Sequence, residues 1–207
     1  MQSRFHHFFV TKLAAIALLA IGALLVSGCA GTNFVKPDPA SFTLGQTTKQ
    51  EVIKQMGKPY RIGSMLKNGV TLETTVYAYA RSGGAALYPR VIPARSQGFY
   101  YLNGTLVGTE FTSSFKDDAT DFDEAKVGMI EKEKTTRAEV VQLLGTSGGE
   151  YIFPLAANPN DRALVYLYSQ TKGSAFNLRF YNKTLIVSYN AQGIVTNVEY
   201  TAQGNKE

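Results

Sequence analysis

Cys29 is the one cysteine in 207 residues, and His6 and His7 are the only histidines, so thiol and imidazole chemistry rest on three positions. All three lie in or beside a sorting segment. Arg4 and Lys12 form a positive flank, Leu13 to Val26 an apolar run of fourteen residues, and Val26-Ser27-Gly28 a small-residue processing site ahead of Cys29. A membrane-spanning helix takes roughly 20 apolar residues, so this shorter run reads as a secretion signal. Removing residues 1–28 discards both histidines and, with them, any histidine-based triad. What remains is a carboxylate pair, a Ser–Lys dyad or an oxygen-ligand site for a hard cation, none with a recognisable motif. The densest acidic group is Asp117, Asp118, Asp121, Asp123 and Glu124. It lacks the alternating ligands, central glycine and terminal glutamate of a calcium loop, and reads as a solvated linker with a helix-capping aspartate. No catalytic residue, metal site or cofactor is expected.

The residues ending at Cys29 resemble the lipobox of bacterial lipoproteins. In that family the cysteine sulfur receives diacylglycerol, the chain is cut before the cysteine, and the new amine is acylated. The resemblance implies that Cys29 is the lipidation site and carries no free thiol, which removes cysteine nucleophiles, Cys/His zinc sites and disulfides. Several acyl chains on one residue give lasting attachment, where a single chain gives marginal binding. Ala30 stands where the family's inner-membrane retention signal is an aspartate, so the resemblance implies the outer membrane, with the chain anchored there and facing the periplasm.

Charge is uneven along the processed chain. Residues 29–112 hold nine Lys/Arg against four Asp/Glu, net +5, whereas residues 113–207 hold ten against twelve, net −2. The first half is therefore the one suited to anionic lipid, lipopolysaccharide or an acidic partner; the alternative is charge scattered for solubility. Nucleic acid is excluded as a partner by export and by the lack of a recognition motif.

The elements carrying these groups repeat. Thr47-Thr48-Lys49-Gln50-Glu51-Val52 aligns with Thr135-Thr136-Arg137-Ala138-Glu139-Val140 at an offset of 88, which also places Gly57 on Gly145. Val76 to Tyr79 aligns with Val165 to Tyr168 at 89, as do Gly104, Glu110 and Phe111 with Gly193, Glu199 and Tyr200. Each copy predicts a capping box, Thr48 with Glu51 and Thr136 with Glu139, that opens a short helix closed by a glycine. Period-two alternation and the Asn103-Gly104 and Gln192-Gly193 turns predict antiparallel strands after each helix. The expected fold class is α+β, two tandem units, each of short helices packed on a small antiparallel β-sheet. The expected boundaries are a signal over 1–28, a tether over 29–40, a first unit over 41–112, an acidic linker over 113–126 and a second unit over 127–207.

Two groups of residues are binding candidates. The stretch 81–98 lacks periodicity and holds Arg81, Tyr88, Arg90 and Arg95 among prolines, a composition suited either to an interface or to a plain surface excursion. Tyr77, Tyr79, Tyr166 and Tyr168 recur on one face of equivalent strands, either as an open platform for a protein or glycan or as core.

Repeat one resembles the signature of the BamE (SmpA/OmlA) family of small outer-membrane lipoproteins, a Gly-x-Thr-x-x-(Glu/Gln)-Val-x-x-x-(Leu/Met)-Gly-x-Pro run. Thr48, Glu51, Val52, Met56, Gly57 and Pro59 keep that register, with Gly45 one residue further upstream. Repeat two replaces Lys58-Pro59 with Thr146-Ser147, yet Thr184 to Asn197 is similar to the family's closing hairpin. The resemblance implies a helix pair against a small antiparallel sheet, used to bind rather than to catalyse, in support of the machinery that inserts outer-membrane barrels. The doubled unit is also similar to the layout of the β-lactamase inhibitory proteins, which implies the alternative of a tethered inhibitor or regulator of a periplasmic enzyme.

Overall fold

A computed structural model describes residues 31–206 except Ala175. The expected signal segment over 1–28 and the expected lipidation site Cys29 lie outside the described residues.

Both predicted helices form where their caps stand. Helix α1 spans Lys49–Met56 and helix α2 spans Arg137–Leu144. At each start a threonine hydroxyl accepts from the glutamate amide three residues on, and the glutamate carboxylate accepts from the threonine amide: Thr48 with Glu51, Thr136 with Glu139. Four backbone donors would otherwise be free at each helix start, and the box satisfies two of them. Both helices close on a glycine at positive φ, Gly57 at 80° and Gly145 at 82°, a conformation that costs a side chain dearly.

The strands do not divide between two small sheets. In chain order they are β1 (Arg61–Lys67), β2 (Val70–Ala80), β3 (Val91–Ile92), β4 (Ala94–Leu102), β5 (Thr105–Ser113), β6 (Gly149–Ile152), β7 (Arg162–Ser174), β8 (Asn177–Tyr189) and β9 (Val195–Gly204). They form one antiparallel sheet in the order β1-β2-β4-β5-β6-β7-β8-β9, with β3 beside β7. The α+β expectation of two separate units is therefore corrected: the described chain is mostly β, a single sheet curled into a half-barrel. The physical reason lies at the seam. Strand β5 meets β6 at Gly108 opposite Tyr151, and the Phe111 amide donates to the Gly148 carbonyl at 2.9 Å. A Cβ on Gly148 would collide with the Phe111 carbonyl, and one on Gly149 with the Thr109 carbonyl, so glycines let the two halves approach to hydrogen-bonding distance. Backbone groups that separate sheets would leave at an edge are paired here instead.

Local pattern still recurs within the continuous sheet. The Lys49 amide donates to Gly104 at 2.9 Å and the Leu106 amide to Thr47 at 2.8 Å; Arg137 donates to Gly193 at 2.7 Å and Val195 to Thr135 at 2.9 Å. Each helix is thus stitched to a later hairpin turn of its own half, α1 to the β4–β5 turn and α2 to the β8–β9 turn. Around α1, Val52, Tyr77, Phe99, Tyr101 and Leu106 form one core. Around α2, Val140, Leu164, Tyr166, Leu185 and Val187 form another, closed by Phe122. A third core, on the helix-free side, joins Leu72 and Val107 to Tyr151, Leu155, Ala163 and Val165.

Candidate functional site

The acidic stretch is a strap, not a solvated linker. After β5 the chain crosses β7 and β8, where the Thr120 hydroxyl donates to the Leu167 carbonyl at 2.6 Å and Phe122 packs edge-on to Tyr166. Asp123 caps a 3-10 turn over Glu124–Met129, the capping role the sequence suggested. Asp118 and Asp121 turn inward. Lys183, on β8, has no exposed side-chain surface; its Nζ lies 2.6 Å from Asp121 Oδ1 and 4.3 Å from the centre of the Phe122 ring, and donates to the Phe122 carbonyl. The Tyr88 phenol donates to the other Asp121 oxygen, and that bond, with burial, pushes the phenol up to about 12. Glu124 accepts from Tyr181 at 2.7 Å and Tyr200 at 2.8 Å, which holds its carboxyl below the usual range. Among the described residues no group of His, Cys, Asp and Glu is arranged to hold a metal ion.

The tyrosines predicted as a platform are mostly interior. Tyr77, Tyr166 and Tyr168 are buried, and Tyr79 stacks on Phe115 with ring centroids 5.8 Å apart. Tyr77 donates to the Gly57 carbonyl at 2.8 Å and Tyr166 to the Gly145 carbonyl at 2.9 Å, so each phenol ties a strand to the end of its own helix. Burial pushes the Tyr166 phenol up to about 12 and raises those of Tyr77 and Tyr168 as well. They are core residues, and an open platform of four rings does not form.

The stretch 81–98 is also less open than its composition suggested, because β3 and the start of β4 lie inside it. Arg95 is held in place. It donates to Asp118 at 2.9 Å and to Asn33 at 2.5 Å, and its guanidinium lies 5.3 Å from the Phe115 ring centre. Tyr88 is engaged by Asp121 and by the Tyr168 ring, 6.2 Å away. Arg81 and Arg90 remain exposed, and Arg90 takes a positive φ of 63°.

Two exposed apolar surfaces went unread in the sequence. The first is β1, one of the two end strands of the sheet, bonded to β2 from Arg61–Val76 to Lys67–Val70. All of its residues but the last are exposed, and Ile62 and Leu66, at 60% and 71% exposure, stand on one face with Tyr60 just before the strand. Asn68-Gly69, the β1–β2 turn, was the signal that could have found it. The second is the far end of the β7–β8 hairpin, where Phe176, Leu178 and Phe180 face solvent. There the signal was period-two spacing of apolar residues between the hairpin turn and Leu185.

Arg95, Asp118, Asp121 and Lys183 thus hold the strap, while β1 and the end of the β7–β8 hairpin present exposed apolar side chains. No family model, curated protein or solved structure matches this chain.

Proposed function

We propose that this chain is an outer-membrane-anchored lipoprotein, attached through Cys29 and facing the periplasm, that works as a non-catalytic binding and assembly module in envelope maintenance. It binds by accepting a strand of an envelope protein along β1. The observation that carries this reading is the exposed end strand itself: seven residues with an unpaired outer edge among the described residues and with Ile62 and Leu66 standing free. Such an edge is a template for another chain, because its backbone donors and acceptors offer affinity and its alternate side chains offer selectivity. Natural sheets guard exposed edges with charges, prolines or covering loops; β1 carries charges at its two ends, Arg61 and Lys67, and neither charge nor proline from Ile62 to Leu66.

The buried charges support a binding rather than a catalytic role. Lys183 and Asp121, and Arg95 and Asp118, face each other and tie the strap to the sheet. The lipobox-like Val26 to Cys29 and the BamE-like signature from Thr48 to Pro59 support the envelope setting. Outer-membrane barrel assembly is one process in which strand addition at an edge has direct use.

The test is affinity capture from detergent-solubilised envelopes with the full-length lipoprotein and with Ile62→Asp and Leu66→Asp variants. Enrichment of membrane proteins by the parent chain, lost in both variants at unchanged circular dichroism, is the expected result. One soluble periplasmic enzyme captured in equal amount by all three chains would replace the assembly reading with the inhibitor reading.

A further inference from the structure

The β7–β8 hairpin outruns the rest of the sheet. Strand β6 pairs β7 only from Arg162 to Val165, and β9 pairs β8 only as far as Tyr181. Beyond those points the hairpin continues to Ser174 opposite Asn177, supported laterally by the two residues of β3. In this end Phe176 is fully exposed, Phe180 is 56% exposed and Leu178 43%. A soluble surface gains nothing from three neighbouring apolar side chains in water, and such patches mark interaction sites.

The flanking charge identifies the occupant. From Arg162 to Val198 the chain holds four basic residues, Arg162, Lys172, Arg179 and Lys183, and no acidic one. Lys183 faces Asp121 and Arg162 faces Glu150, whereas Lys172 and Arg179 form no ion pair among the described residues; Arg179 is exposed, and the half-buried Lys172 donates from Nζ to the Lys206 carbonyl at 2.8 Å. They stand opposite each other in register, one position from the pair Thr171–Phe180, so the cations occupy the face away from Phe180 and Leu178. Strand β3 adds a third cation: Val91 pairs with Lys172 and Ile92 with Thr171, which sets exposed Arg90 one step nearer the hairpin end. An apolar tip rimmed by cations matches the two layers of an anionic bilayer surface, hydrocarbon beneath and phosphate above.

We propose that the end of the β7–β8 hairpin is a membrane-surface probe: Phe176, Leu178 and Phe180 enter the interfacial layer of an anionic bilayer while Arg90, Lys172 and Arg179 bind its headgroup phosphates. This contact goes beyond strand binding at β1 and rests on the hairpin's own residues; an acyl anchor only brings the chain to the surface.

The chain has no tryptophan, so Phe176→Trp places a single reporter at the tip. The full-length lipoprotein carrying this change is incorporated into phosphatidylethanolamine/phosphatidylglycerol vesicles, with and without bromine on the acyl chains, and vesicles are recovered by flotation. Flotation reports the anchor, and tryptophan emission reports the tip. The expected result is a blue-shifted emission quenched by brominated chains, with both effects reduced in pure phosphatidylcholine and in the Arg90→Ala/Arg179→Ala background. Water-like, unquenched emission from protein that floats would overturn the proposal while leaving the anchor intact. A blue shift without lipid that grows with protein concentration would also overturn it, since the tip would then be covered by a second copy of the chain.

Discussion

Lys183 Nζ and Asp121 Oδ1 lie 2.6 Å apart, and the lysine side chain is wholly out of solvent. Desolvating an ammonium is expensive unless a counter-charge and hydrogen-bond acceptors replace its water. Here Asp121, the Phe122 carbonyl and the Phe122 ring do so, all from the strap. The strap is therefore bound to β8 by charge as well as by packing. Asp121→Asn leaves the ammonium without its counter-charge and should cost about 3–5 kcal/mol in urea denaturation. Lys183→Met combined with Asp121→Leu should recover most of that loss. A loss below about 1 kcal/mol for Asp121→Asn is what a solvated pair would give, and would remove the strap's electrostatic anchor.

Tyr166 and Tyr77 occupy equivalent places and make the same bond to a helix-terminal glycine carbonyl. Each phenylalanine substitution keeps the ring and deletes one hydrogen bond. Tyr166→Phe and Tyr77→Phe should each lower stability by about 1 kcal/mol, and the double variant by close to the sum, since the sites belong to different cores. Partner capture should be unchanged. Lost capture at unchanged stability would return these rings to the list of binding residues.

Glu110 and Glu124 give opposite pH dependences. The phenols of Tyr181 and Tyr200 lower the Glu124 carboxyl, so its contribution is present above the ordinary glutamate range and is lost as pH falls through the folded-state value. Burial raises the Glu110 carboxyl despite the Tyr100 hydroxyl, which donates to it at 2.5 Å. Its ionised form is the less favoured one in the fold, so it costs stability above its raised value, and the cost disappears as pH falls towards the unfolded value. Glu110→Gln should therefore stabilise the protein at neutral pH, with a gain that fades at pH about 4. Urea midpoints at the two pH values check this; an equal gain at both would assign the effect to packing instead of ionisation.

What the sequence revealed was local. The capping boxes at Thr48 and Thr136 and the turn at Asn103-Gly104 are written in residues a few positions apart, and each formed as read. The seam was not legible because β5 and β6 are separated by the strap and α2, and the pairing depends on how closely Gly148 and Gly149 let two backbones approach. The acidic cluster was misread for the same reason: its partners Arg95 and Lys183 lie 23 and 62 positions from Asp118 and Asp121, so the group looked solvated. The tyrosine spacing correctly marked one strand face, but spacing alone does not say whether α1 or α2 covers it. Arg90 kept its exposure, whereas Arg95, five residues on, was drawn into the strap.

Strand addition at β1 is tested most directly by site-specific photocrosslinking in intact cells, with a benzophenone side chain at Ile62 and a control at Gln142 on α2. The expected result is an adduct with an outer-membrane protein from position 62, absent from position 142, whose crosslinked peptide lies in a β-strand of the partner. Crosslinks from position 62 to no protein, or equally from both positions, would contradict it.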